Sequence, residues 1–238
     1  MKTTAGDKKR KSRFLINDII GKYPPWRGYD ATDLLNADNY LLFSFLLPQD
    51  RSISLQDLHM RSYLFAQLGE TTLPVLALEK NGKEIIFLLR KYRLAGLKDF
   101  LSGKQNGQLK DILAKITGTV ISGWNRGLYF NNIAPEAVVV IDGGPVILPT
   151  AYRIPGTSLS EIEQDSGEVN DSCPRMIRDI RSLGNLFSLF QTFFTGEDSR
   201  LCADITGRLS DTGCELSPGE LFGTLDMMRS FLDLEEIT

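Results

Sequence analysis

The stretch GLYFNNIAPEAVVVIDGGPVILPTAY, residues 127–152, decides how the rest of the chain is read. It holds an apolar run over 138–141, stopped by Asp142-Gly143-Gly144, and a second run over 146–148. Two short β-branched runs joined by a Gly-containing turn predict a β-hairpin. Ahead of them, Ile133-Ala134-Pro135-Glu136-Ala137 passes from polar to apolar, with a proline that fixes the local backbone. Asp142 falls in the turn and is expected to be a hairpin residue.

Working outward, residues 109–126 carry Leu113, Ile116, Val120, Ile121 and Trp124 at helical spacing and end at Gly127, a natural C-cap. Residues 73–79 and 83–89 flank Asn81-Gly82 and predict a second hairpin. Residues 40–47, YLLFSFLL, read as a buried strand, and residues 14–21 as a first strand. Between them, Lys22-Tyr23-Pro24-Pro25-Trp26-Arg27-Gly28 is expected to form a rigid hairpin tip. Residues 54–68 read as a helix opened by Ser54 with Asp57 in capping position; Leu55, Leu58, Tyr63, Leu64 and Leu68 are its expected apolar face. Residues 97–101 begin a short helix. Residues 158–172 are rich in Ser, Glu and Asp and predict a mobile loop. The apolar segment 186–194 and residues 201–209 and 218–232 predict the remaining helices, the last with Leu221, Phe222, Leu225, Met228 and Leu232 on one face.

The composition is that of a soluble globular protein: 238 residues, 42% hydrophobic, 24% charged, formal net charge −3. A net acidic chain gives no sign of nucleic-acid binding. No run approaches the roughly 18 apolar residues of a membrane helix. The basic start (Lys2, Lys8, Lys9, Arg10, Lys11, Arg13) lacks the apolar segment of a signal peptide and is expected to be a flexible, solvated leader over 1–12, with neither a membrane nor a nucleic-acid partner. A cytoplasmic home follows as an expectation. Cys173, Cys202 and Cys214 are odd in number and lack zinc-ligand spacing, so reduced thiols are expected. His59 is the single histidine, which argues against His-based metal sites and Ser–His relays.

In element order and spacing, the chain resembles the bacterial-type Ser/Thr protein kinases from Arg13 to about Leu232. The kinase catalytic loop reads His-Arg-Asp-Leu, three variable residues, then Asn. Laid on this chain it falls on Phe130-Asn131-Asn132-Ile133-Ala134-Pro135-Glu136-Ala137, of which Ile133, Pro135 and Glu136 match common kinase wording. Eighteen residues beyond Asn132, Thr150-Ala151-Tyr152 stands where the family has Asp-Phe-Gly. Asp179-Ile180-Arg181-Ser182-Leu183-Gly184 resembles the Asp-x-x-Ser-Leu-Gly that opens a C-lobe helix, and Thr195-Gly196 its Leu-Thr-Gly close. The family's Val-Ala-Ile-Lys falls on Leu41-Leu42-Phe43-Ser44, which makes Ser44, or Phe45 after a one-residue slip, the counterpart of the ATP-gripping lysine. The helix glutamate that pairs with that lysine falls near Arg61. The arginine usual in the family before the last helix is missing from Cys214-Glu215-Leu216-Ser217-Pro218.

The resemblance implies an α+β, two-lobed protein kinase-like fold: a small antiparallel sheet with one main helix over 13–92, and a mostly helical lobe over 93–238. It also implies a chain without the family's chemistry. Phosphoryl transfer needs positioning and charge neutralisation. The positions that supply them are Ser44, Arg61, Asn132, Ala137 and Thr150; a carboxamide is no base at neutral pH, and alanine offers Mg²⁺ no carboxylate. No lysine occurs between Lys22 and Lys80, whatever the alignment. Two prolines and a tryptophan fill the phosphate loop, and prolines donate no N–H. The expectation is a pseudokinase with no cofactor and no metal, acting as a protein-binding scaffold or allosteric regulator in bacterial Ser/Thr phosphorylation signalling. Its partner would be another protein: a kinase, a phosphatase or a phosphopeptide-binding module. The alternative is a kinase-fold enzyme with altered nucleotide chemistry. Asp179 is expected to be structural, accepting hydrogen bonds from backbone N–H groups of the 130–131 stretch.

Overall fold

A computed structural model of the chain describes residues 10–11, 13–23, 26–47, 54–130, 133–151, 172–210 and 218–234. Two units emerge from its contacts: among the described residues, the first takes everything up to Tyr63 together with Pro74–Arg93, and the second takes Leu64–Leu73 and everything from Leu94 onward. The expected lobes broke at residue 92–93. The observed boundary is one residue later and also moves Leu64–Leu73 into the helical unit.

The first unit is a six-stranded antiparallel sheet in the order β1-β2-β3-β4-β6-β5. Its strands are β1 (Arg10–Lys11), β2 (Phe14–Tyr23), β3 (Trp26–Asp33), β4 (Asn39–Leu46), β5 (Ala77–Asn81) and β6 (Glu84–Arg90). β1 was not anticipated; Arg10 lies opposite Leu15 and Lys11 opposite Phe14, so the end of the basic leader is part of the sheet. The β2–β3 hairpin closes with Tyr23 opposite Trp26, and Pro24-Pro25 lie outside the described residues. In the β5–β6 hairpin Asn81 pairs with Glu84. The two loop residues are therefore Gly82 and Lys83, one place later than Asn81-Gly82, with Gly82 at φ 60°. That conformation is cheap for glycine, so the turn follows the glycine.

This sheet curls. Five residues of β4, from Leu41 to Phe45, are buried in unbroken succession, so both faces of the strand are covered. One face gathers Phe14, Tyr29, Ala31, Leu42, Ile86 and Leu88 into a cluster, with Ala77 of β5 against it. Arg13, immediately before β2, bonds Asp33 at 3.1 Å and Glu79 of β5 at 3.3 Å. In a flat sheet β2 and β5 would lie about 19 Å apart, four strand spacings. The arginine therefore bridges two strands that strong twist has brought round toward each other.

Helix α1 (Leu55–Ala66) opens as the sequence indicates, with Asp57 N donating to Ser54 Oγ at 3.3 Å. Its buried face differs from the expected one. Leu58, Ser62 and Phe65 are buried, whereas Leu55, Tyr63 and Leu64 are exposed. At 100° per residue Tyr63 and Leu64 point away from Leu58, Ser62 and Phe65, whereas Leu55 falls on the buried side and is exposed as the first residue of the helix.

The second unit is built on α3 (Asn106–Asn125), preceded by β7 (Ala95–Gly96) and α2 (Leu97–Leu101). A capping box between Gln105 and Gln108 starts α3 earlier than its apolar pattern does. β8 (Val138–Ile141) and β9 (Gly144–Ile147) form the hairpin read from sequence, with β7 beside β8. Asp142 and Gly143 form the loop at φ 50° and 82°, both positive as a type I′ turn demands. Then come α4 (Ser172–Gln191), α5 (Gly196–Ser210) and α6 (Pro218–Phe231). Both α4 and α5 begin earlier than their apolar runs suggested. One core unites Leu113, Ile116 and Val120 of α3 with Ile180, Phe187 and Phe190 of α4, Ile205 of α5 and Met228 of α6. On α6, Leu225 and Met228 are buried, as is Leu232 just beyond it, while Phe222, placed on the same face by sequence, is 62% exposed. The expected loop over 158–172 lies outside the described residues except for Ser172, which begins α4.

Candidate functional site

The stretch after α3 is held in shape from below. Gly127 takes φ 67°, its N–H bonding Trp124 O at 2.9 Å, and Leu128 N donates to Gly123 O at 2.8 Å, so the chain doubles back over the helix end. Gly123 permits that approach. A Cβ there would stand 3.1 Å from Leu128 O and 3.2 Å from the Phe130 ring. Phe130 is buried and packs edge-on against Phe65 at 5.0 Å between ring centres.

Asp179 sits in the middle of α4 and is fully buried. Its Oδ2 accepts from Phe130 N at 2.9 Å and from Trp124 Nε1 at 2.8 Å. The carboxylate thus ties three segments together: the end of α3, the stretch that follows it, and α4. The bond to Phe130 N is the one the sequence implied. The indole bond was missed; Trp124 was taken as an apolar residue of the helix face. Its position three residues before Gly127 carries no signal for a partner on a helix 55 residues away.

Beyond Phe130, residues 131–132 lie outside the described chain, so Asn132 receives no structural account. Pro135–Ala137 forms a 3₁₀ turn that delivers Ala137 to β8. Leu148 N donates to Ala137 O at 2.8 Å, which closes the base of the β8–β9 hairpin. Thr150 follows two residues later, in a second 3₁₀ turn over Pro149–Ala151. Ala137 and the backbone around Thr150 are thereby neighbours at the same end of one hairpin. Ala137 is buried, and all four residues of β8 are buried with it. Asp142 is exposed in the turn at the other end of the hairpin, as a hairpin residue should be.

Ser44 and Arg61 belong to the first unit. Ser44 lies on β4 between Arg27 of β3 and Ile86 of β6, and is 2% exposed. By strand alternation it shares a face with Leu42 and Tyr40, toward the cluster of Tyr29, Ile86 and Leu88. Phe45, the residue reached by a one-place slip, is also buried, on the opposite face. Neither position carries a cation. Arg61 is half-buried on α1. Lys91 is engaged by Asp30 at 2.7 Å.

Among the described residues no three His, Cys, Asp or Glu side chains gather where a metal ion could be held. None of the described helices is long and apolar enough to cross a membrane. Cys202 is a free, buried thiol that donates to Phe187 O at 3.4 Å. Burial pushes its pKa up to about 12, a bond from Thr206 opposing and Asp198 assisting that rise. A thiol held in its neutral form is a poor nucleophile.

No protein-family model matches the chain, and no curated protein matches it in sequence. Solved structures do match it in fold. It is similar to the Mycobacterium tuberculosis PknI kinase domain, in a structure of a point mutant, at a TM-score of 0.61 and 13% identity over 97% of each chain. A second PknI kinase-domain structure gives 0.59 and 12%, over 97% of this chain and all of that one. It is similar also to the pseudokinase domain of BIR2, an immune regulator of the RLK/Pelle family, at 0.59 and 11%, covering 92% of this chain and 81% of that one.

Proposed function

We propose, from a protein kinase-like fold, two-lobed and α+β, shared with a kinase domain and with a pseudokinase domain, that the chain is a pseudokinase: a catalytically inactive kinase-like domain that works by binding another protein, as a scaffold or allosteric regulator in bacterial Ser/Thr phosphorylation signalling. One contrast supports the reading. The buried carboxylate that organises the fold is present and engaged at Asp179, while the counterparts of the chemical groups are Ser44, Ala137 and Thr150. Mg-ATP does not fit this set. Ala137 is a buried methyl, and a buried serine on β4 offers the phosphates no charge. A kinase, a phosphatase or a phosphopeptide-binding module would suit such a domain as partner.

Thermal denaturation with and without Mg-ATP tests the proposal. Millimolar nucleotide is expected to leave the midpoint unchanged. A ligand at a hundred times its dissociation constant would stabilise by about 2.7 kcal/mol, so a clear rise would overturn the reading.

A further inference from the structure

The chain contains two Asn-Gly pairs, at 81–82 and 106–107, and folding treats them differently. Such a pair is labile because no side chain on the glycine crowds its backbone nitrogen. Once that nitrogen loses its proton it can attack the preceding asparagine's Cγ. A succinimide ring closes, the side-chain nitrogen leaves as ammonia, and water opens the ring at either carbonyl to give aspartate or isoaspartate. Water and base are the only other reactants. Closure needs the asparagine to bring Cγ against the next nitrogen, so its freedom to move sets the rate.

Asn106 is held through both atoms of its amide. Its Nδ2 donates to Thr195 O at 3.0 Å and to Asp198 Oδ2 at 2.8 Å. Its Oδ1 accepts from Thr195 N at 3.2 Å and from Thr195 Oγ1 at 3.3 Å. Lys110 fixes Asp198 in turn, at 2.7 Å. Asn106 is also the first residue of α3, so the attack requires the helix start to unwind. A hydrogen bond to a charged group that must break first slows a reaction by about tenfold or more.

Asn81 is under no such restraint. It ends β5 at the tip of the β5–β6 hairpin, exposed, and the exposed Gly82 follows with open space around it. Among the described residues no hydrogen bond holds its side-chain amide. Its backbone is tied by the closing pair with Glu84, and a pair at a loop tip opens at little cost. The product would matter to the hairpin. Aspartate at 81 sets a like charge directly opposite Glu84, and isoaspartate lengthens the backbone at the closing pair.

We propose that Asn81 is a site of spontaneous deamidation in the folded protein, and that Asn106 is shielded from the same reaction by its lock on Thr195 and Asp198. The sequence offers the two pairs as equals; the hairpin tip and the lock separate them. The proposal goes beyond the pseudokinase reading and does not depend on it.

Peptide mapping by mass spectrometry, after the full chain has stood in warm, mildly alkaline buffer, tests it. A gain of one mass unit, with isoaspartate among the products, is expected at Asn81 at least about ten times faster than at Asn106. In denaturant the two rates should come together. Asn81→Gln, which would have to close a larger ring, should abolish the change at 81 and melt as the wild type does. Asn81→Asp copies one product and should lower the melting midpoint by roughly 4 °C at most. Equal conversion of the two asparagines in the folded chain overturns the proposal, as does a folded chain in which Asn81 stays intact while the denatured chain converts. A rate gap that persists in denaturant would trace the contrast to neighbouring sequence and overturn the shielding of Asn106. The nucleotide experiment is untouched by any of these outcomes.

Discussion

Asp33 and Asp179 are both buried carboxylates, at 2% and 0% exposure, and each is held by donors of a different kind. Asp33, in the sheet unit, faces a cation: Arg13 bonds it from a position that is itself 38% exposed. Asp179, in the helical unit, takes neutral donors, an indole N–H and a backbone N–H. An ion pair with one wet partner is screened and replaceable, so its net worth is small. Hydrogen bonds to a buried carboxylate have no solvent to fall back on, and a donor stripped of its acceptor there carries the full desolvation cost. The fold thus rests on Asp179 more than on Asp33.

The largest effect should come from Asp179→Ala, which strands both Phe130 N and Trp124 Nε1. A loss of roughly 1–3 kcal/mol in urea denaturation is expected. A melting curve within error of wild type would break the comparison at its stronger end. Arg13→Met should cost less, about 1 kcal/mol, because Asp33 keeps its bond from Leu35 N and the arginine that is lost was itself partly exposed to solvent. If Arg13→Met proved the more damaging, curling of the sheet toward β5 would matter more than the carboxylate's own bonds.

The smallest effect sharpens what burial does to a titratable group with no countercharge. The folded chain holds the Cys202 proton from the ordinary 9.0 up to about 12. The unfolded chain releases it first, so the stability tied to this thiol is complete below pH 9 and declines as pH rises toward 12. Denaturation of wild type and Cys202→Ala should therefore converge with rising pH across that window. In a Cys173→Ser, Cys214→Ser background, a thiol reagent near neutral pH should react only after unfolding.

Much of this architecture was legible in the chain. The β8–β9 hairpin announced itself through β-branched runs around Asp142-Gly143, because a two-residue turn with both φ values positive admits few residue types. The end of α3 was legible through Gly127 for the same local reason. The exposed side of α1 was not: Tyr63 and Leu64 look like core residues by type, and only the packing of Leu58 and Phe65 selects the buried side. Of the candidate site, the Asp179–Phe130 bond was readable through resemblance, and the Trp124 bond was not.

The sequence by itself determined the β8–β9 turn, the caps at Ser54 and Gly127, the order of the main elements and the absence of lysine between Lys22 and Lys80. These depend on residue identity and on neighbours a few places away, where backbone sterics and hydrogen-bond chemistry act directly. Only the tertiary structure decided that Arg13 would bridge Asp33 and Glu79 and that Trp124 would share an acceptor with Phe130. Those juxtapositions depend on sheet curl, strand register and helix packing. Each is a sum of many weak contacts over the whole unit, and no local stretch of sequence encodes it.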